Sequence, residues 1–268
     1  MNLKHSILLV TAFLTAMTAN AFKLTRHTGE VADGYNFLLA EPDTVDGPKP
    51  VVIFLHGASL RGNDLNKVKR YGTIDAMEKG RQIDAYVVAP QVSEGSWNPQ
   101  KIMNVLDWVR ENRDVDNNRI YVLGMSLGGY GTLDFAATYP DQIAAAIGIC
   151  GGATRKDLSG LAHLPLWIIH GTGDHSVSVE QSDKVVDAIA DVDPDLTRLI
   201  YDRVTGMNHS QPARVFYVPA VYDWLFLHSL DEEGRPLHET IHVDNSLLRN
   251  AYKGIGSKPK GSARSTRD

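Results

Sequence analysis

Short apolar runs recur through the middle of the chain. Val51–His56 (VVIFLH), Ala85–Pro90 (AYVVAP), Arg119–Gly124 (RIYVLG), Ala145–Cys150 (AAIGIC), Leu166–Gly171 (LWIIHG) and Thr197–Val204 (TRLIYDRV) all have strand length. Their apolarity is continuous rather than alternating, which predicts burial on both faces, as in a parallel sheet. The preceding GYNFLLAEP suits an antiparallel strand at the sheet edge. Helical patterns lie between the runs. Asn98-Pro99 makes an N-cap and first turn, followed by Ile102, Val105, Leu106 and Val109 on one face. Ser178 with Gln181 reads as a capping box ahead of Ser182, Val185, Val186 and Ile189. A last helix is expected from Pro212, carrying Val215, Val218, Tyr222 and Leu225, with a kink at Pro219. Strands alternating with helices predict an α/β fold: a doubly wound, mostly parallel sheet with helices on both faces.

Composition sharpens this only at the ends of the chain. The first residues, MNLKHSILLVTAFLTAMTANAF, have a basic start, an apolar run from Ile7 to Met17 and Ala19-Asn20-Ala21. That is the pattern of a signal peptide cleaved before Phe22, too short in its apolar run to span a bilayer. Export to a periplasm or the medium is expected, with no membrane attachment after cleavage. Residues 22–230 are expected to form the single α/β domain. Residues 231–268 form an extension whose last dozen, rich in Gly, Ser, Lys and Arg, are expected to be disordered, while Leu237 to Tyr252 are long enough to pack on the domain. The net charge of −5 has no basic patch before the tail, which argues against a nucleic-acid partner. The single cysteine, Cys150, permits no internal disulfide and reads as a small buried hydrophobe. Oligomeric state is not legible.

The chemistry begins at Gly124-Met125-Ser126-Leu127-Gly128, a G-x-S-x-G between a strand and a helix. A turn that tight excludes side chains at the flanking positions and projects the Ser126 hydroxyl above the sheet. The phosphate-binding alternative lacks both the dinucleotide and the Walker spacing. A serine hydroxyl needs an adjacent base. In this type of fold the acid and the histidine follow the serine in the chain. Asp174 falls in the loop after one later strand, and His209 in the loop after the next. His175 comes in the wrong order, and a surface role is expected. His170 at a strand end reads as structural, and Asp183 as a solvated helix carboxylate. Asp202 lies in a strand facing solvent or a local partner. Backbone N–H groups of Leu127, after the serine, and of Ala58, after the first parallel strand, are the candidate oxyanion donors. Trp97, Ser59 and Gln91 are candidate substrate contacts. Trp97 is equally suited to packing beneath its loop, and Gln91 to ending a strand. No histidine shows zinc-site spacing, so neither a metal nor another cofactor is expected.

LHGASLRGND, NRIYVLGMSLGGYGTLDFAATYPDQIAAAIGICGG, LWIIHGTGDHSVSVEQS and TGMNHS together resemble the α/β-hydrolases of the exported esterase group. These include the feruloyl and acetyl xylan esterases of carbohydrate esterase family one and the related predicted peptidases. The resemblance runs from about Pro50 to His228. It implies ester hydrolysis through an acyl-enzyme, and carries the roles onto Ser126, Asp174, His209, Ala58 and Leu127. The chain departs from that group at Ser59 (often glycine there), Leu60 (often acidic) and Ser178 (often proline). The expected activity is hydrolysis of feruloyl or acetyl esters, free or linked to plant polysaccharide. A serine peptidase of the same fold and a non-catalytic carbohydrate-binding module are the alternatives.

Overall fold

The computed structural model describes residues 22–42, 45–238 and 241–256. The expected signal peptide and the last dozen residues lie outside the described residues. The strands are β1 (Phe22–His27), β2 (Asn36–Pro42), β3 (Lys49–Leu55), β4 (Tyr86–Gln91), β5 (Val115–Met125), β6 (Ala145–Ile149), β7 (Leu166–Gly171) and β8 (Leu199–Val204). They form one sheet in the order β1-β2-β4-β3-β5-β6-β7-β8. β2 runs antiparallel to both β1 and β4, and the remaining neighbours are parallel. The helices are α1 (Thr73–Glu78), α2 (Pro99–Asn112), α3 (Leu127–Thr138), α4 (Glu180–Ala190), α5 (Pro219–Phe226) and α6 (Asn245–Arg249).

Alternate residues of each central strand enter two separate cores. Val52 and Phe54 of β3, with Tyr121 and Leu123 of β5, pack on one side with Ile74 of α1, Tyr222 of α5 and Leu248 of α6. Val51, Ile53 and Leu55, with Ile120 and Val122, pack on the other with Ile102 and Leu106 of α2, Leu133 of α3 and Val185 of α4. Both faces of the strands are therefore dry, which is why their sequences do not alternate. The fold is the α/β-hydrolase arrangement that the sequence pattern predicted.

Several local expectations change. β2 is not the edge strand, because β1 pairs along its outer side. Phe22–His27 carries exposed Lys23 and Arg26 and half-buried residues, the composition of a protected edge rather than of a core strand. The capping box at α4 does not form. Ser178 Oγ meets the Glu180 N–H at 3.4 Å, and the Gln181 N–H bonds the Ser178 carbonyl instead. The single kinked helix from Pro212 is two elements, a 3₁₀ segment Gln211–Tyr217 and α5, separated by extended Val218. Pro219 lacks an N–H and pushes its predecessor out of the helical region, so it starts a helix rather than bending one. Asn98 does cap α2, accepting from the N–H groups of Gln100 and Lys101.

The segment 241–256 packs on the core through Val243, Leu248 and Ala251. Asp202 of β8 is buried and holds this segment. Its carboxylate accepts from Val243 N–H (2.7 Å), His242 Nδ1 (2.7 Å) and Trp167 Nε1 (2.9 Å). Asp183 is likewise not free, accepting from the Tyr201 hydroxyl at 2.5 Å and pairing with Arg203 at 2.9 Å.

Two buried histidines carry their polar atoms into backbone bonds. His56, just past β3, donates from Nδ1 to Gly57 O (2.7 Å) and accepts the Val92 N–H at Nε2 (3.3 Å). His228, past α5, donates to Trp224 O (2.9 Å) and accepts the His238 N–H (3.3 Å). Burial lowers each to about 4, outweighing the hydrogen bonds that favour the charged form. Between pH 6.5 and about 4 the unfolded chain takes up these protons and the folded chain does not, so the stability due to the neutral rings is lost as pH falls. Urea midpoints measured from pH 7 to pH 4 are expected to fall through this window. His228→Gln is expected to flatten the slope while lowering the midpoint at pH 7.

Candidate active site

β5 ends at Met125, and Ser126 turns the chain into α3 with φ +58° and ψ −121°. A non-glycine residue at positive φ is strained, so the surroundings must hold it there. The Ser126 N–H donates to Ile149 O (2.8 Å), and its carbonyl accepts the Tyr130 N–H (3.0 Å). The flanking glycines are required by contact. A Cβ on Gly128 would lie 1.8 Å from Leu55 O, and one on Gly124 would lie 2.4 Å from Gly128 O. Helix α3 thus begins pressed against the end of β3.

Asp174 follows β7 and His209 follows β8. Backbone bonds from Thr172 N–H to Val204 O (3.0 Å) and from Gly173 N–H to Met207 O (3.1 Å) tie the two loops together. The Asn208 side chain accepts from the N–H groups of Ser210 (3.0 Å) and Gln211 (3.3 Å), bracing the histidine from both sides. The result is a continuous chain of bonds. The Ser126 hydroxyl donates to His209 Nε2 at 3.0 Å, and His209 Nδ1 donates to Asp174 Oδ2 at 2.6 Å. Asp174 Oδ1 accepts the N–H groups of Ser176 (2.8 Å) and Val177 (2.9 Å). Burial opposes ionisation of Asp174, but the Val177 N–H, His209 and the Ser176 N–H outweigh it, and its carboxyl is held below the usual range. His170 lies 3.5 Å from the same carboxylate, donates to Val177 O, and is kept neutral chiefly by burial. His175 is exposed.

The loop after β3 completes the site. Ala58 opens the 3₁₀ turn Ala58–Leu60 and Leu127 opens α3, positions whose N–H groups have no acceptor within their own helix. Ala58, Ser59 and Ser126 line a cavity of about 500 Å³, together with Tyr71, Val177 and Ala213. Two expected substrate contacts are elsewhere. Trp97 is buried beneath the loop: its Nε1 donates to His56 O (3.2 Å), and its ring packs on Gly131. Gln91 is also buried, donating to Leu60 O (2.8 Å) and Asp64 O (3.0 Å). Both hold the loop's backbone, a need that outranks contact with solvent when carbonyls are buried.

Two neighbours were not anticipated. Tyr71 lines the cavity and accepts the Gly57 N–H at 2.9 Å. Nothing in its local sequence marks it, since its role depends on a chain crossing. Cys150 lies one residue past β6, buried, at φ +47°. Its sulfur and the ligand atoms of Asp174 and His209 lie within 4.8 Å of one another. Burial raises the thiol's pKa well above its ordinary range. Asp174 and His209 are engaged with each other, so this cluster is a hydrogen-bonded group packed on a neutral thiol.

Fold and site together place the chain in the α/β-hydrolase class. Residues 76–211 match the dienelactone hydrolase family, and the chain belongs to that family. Poly(3-hydroxyalkanoate) depolymerase C of Paucimonas lemoignei is 25% identical over 171 residues, 56% of this chain and 40% of that protein. Acetylxylan esterase A of Emericella nidulans is 40% identical over 57 residues, 21% of this chain and 19% of that protein. The chain thus spans less than half the length of these relatives. A thermostable esterase of known structure superposes with a TM-score of 0.61 at 25% identity, covering 78% of this chain and 63% of that one. The feruloyl esterase module of Clostridium thermocellum shares the fold, with a TM-score of 0.58 at 14% identity, covering 83% and 90%.

The contact at Gly128 is directly testable. Gly128→Ala forces a methyl group into the Leu55 carbonyl and is expected to cost roughly 3 kcal/mol or more. Thermal denaturation would show a large drop in Tm. A melting curve like that of the unaltered protein would contradict the close approach of α3 and β3.

Proposed function

We propose that the protein is an exported serine esterase in which Ser126, His209 and Asp174 act as nucleophile, base and orienting acid. The observation that carries this reading is the unbroken bond chain from the Ser126 hydroxyl through His209 to a buried, ionised Asp174. As Ser126 Oγ attacks an ester carbonyl, its proton passes to His209 Nε2. Asp174 stabilises the resulting imidazolium and keeps Nδ1 protonated. The N–H groups of Ala58 and Leu127 receive the oxyanion. Collapse breaks the C–O bond to the alcohol, which leaves with the proton from His209. Water then attacks the acyl-enzyme, giving its proton to His209 and releasing the acid and the free serine.

The substrate reading is an acyl ester carried on a polymer, with feruloyl or acetyl groups on plant polysaccharide as the specific case. A cavity walled by Tyr71, Val177 and Ala213 suits an apolar or aromatic acyl group. The similarity to an acetylxylan esterase and a polyester depolymerase favours ester over amide. Export is supported by the leader pattern of the first residues.

Assays with p-nitrophenyl acetate, methyl ferulate and an aminoacyl anilide test the class. Cleavage of the esters alone is expected, and cleavage of the anilide alone would favour a peptidase. Ser126→Ala is expected to lower ester turnover more than about 10⁴-fold, and Asp174→Asn by about 10³- to 10⁴-fold. Both variants should keep a native circular dichroism spectrum. Turnover surviving in Ser126→Ala would rule out the nucleophile, and inertness of the unaltered protein to a fluorophosphonate would favour a binding module.

A further inference from the structure

We propose that Tyr71 is the positioning residue of the oxyanion loop, its hydroxyl holding Gly57 so that the Ala58 N–H is aimed at the carbonyl oxygen of a substrate on Ser126. This rests on the serine-esterase reading above. The Gly57–Ala58 peptide is planar, so the direction of the Ala58 N–H follows from where Gly57 is held. Three bonds hold it. The Gly57 carbonyl accepts from His56 Nδ1 (2.7 Å) and from the Leu60 N–H (3.1 Å). On the other side of the α-carbon, the Gly57 N–H donates to Tyr71 Oη (2.9 Å). The two carbonyl bonds come from residues next to or within the loop itself. Of the three bonds at Gly57 only the tyrosine's comes from outside the loop, while Trp97 and Gln91 hold the neighbouring carbonyls of His56 and Leu60.

That reference point is rigid and close to the chemistry. A Cβ placed on Gly57 would lie 2.7 Å from Tyr71 Oη and 3.5 Å from Ser126 Cβ, so phenol and serine flank the same point. The Tyr71 ring packs edge-on against Phe54 of β3 (6.3 Å between centroids) and beside Phe216 (6.4 Å). Phe216 lies in the 3₁₀ segment that directly follows His209. Gly72, at φ +98°, passes so close over Phe54 that a Cβ would fall 2.1 Å from its ring. The Tyr71 side chain therefore links the oxyanion loop to the segment that follows the base in the chain. Burial raises its pKa, against the Gly57 N–H and the neighbouring Ser59 hydroxyl, so it remains a neutral acceptor across the physiological range.

A phenylalanine would fill the same wall but leave the Gly57 N–H unheld. Tyr71→Phe is therefore expected to lower kcat for p-nitrophenyl acetate about 10- to 100-fold, part of the loss that follows removal of a whole oxyanion donor. KM is expected to change less than about threefold. A trifluoromethyl ketone, whose adduct with Ser126 bears an oxyanion, is expected to lose affinity by the factor lost in kcat/KM. A merely structural role would lower Tm and active fraction and leave these ratios intact. If Tyr71→Phe does not fold, Phe216→Leu loosens the same ring and is read in the same way. Unchanged kcat, a rise in KM alone, or undiminished ketone affinity would overturn the proposal. Turnover persisting in Ser126→Ala would instead remove the esterase reading and this inference with it.

Discussion

The site depends on one close approach between backbones. The start of α3 presses on the end of β3 with no room for a methyl group at Gly128. That contact puts Ser126, at positive φ, beside the turn that presents Ala58. A looser junction would separate the hydroxyl from the loop, whatever the sequence of either. The strain at Ser126 is met by its bond to Ile149 O and by the packing of the helix it begins.

The remaining parts reach this junction through the sheet. β5, β6, β7 and β8 are successive parallel neighbours, so their carboxyl ends emerge along one rim. Residues more than thirty positions apart, Asp174 and His209, become adjacent because the loops after β7 and β8 are bonded backbone to backbone. Glycine at the end of β7 allows that approach: a Cβ on Gly171 would fall 2.0 Å from Met207 O. Burial of Asp174 alone would favour the neutral acid, and it is the backbone N–H groups of Val177 and Ser176, with His209, that keep it charged. The same carboxylate would be costly without them.

Packing beneath the oxyanion loop explains why Trp97 and Gln91 do not reach the cavity. Trp97, Gln91 and His56 all spend their polar atoms on the loop's backbone. Their rings and stems fill the space below it, and Trp97 packs edge-on against His56 and Tyr35. The cavity wall is built instead from Tyr71, Val177 and Ala213, with Ser59. A loop that must hold one N–H steady needs its carbonyls satisfied first.

The strands, their parallel pairing and the positions of Ser126, Asp174 and His209 were legible in the sequence, because each rests on a local rule. Continuous apolar runs mark strands buried on both faces, Asn98-Pro99 marks a helix start, and G-x-S-x-G between strand and helix marks a sharp turn. The alternation of strands and helices was enough to set the class of fold. What tertiary structure decided are contacts between segments that carry no such signature. The edge position went to β1 because Phe22–His27 pairs along β2, which its short, charged sequence does not announce. Pro219, by contrast, started a helix by a local rule, since it holds Val218 out of the helical region. Segment 241–256 was recruited to the core by Asp202, whose buried carboxylate needed donors. The places of Trp97, Tyr71 and Cys150 follow from which backbone passes above each of them, a matter of three-dimensional crossing that the order of residues along a chain does not express.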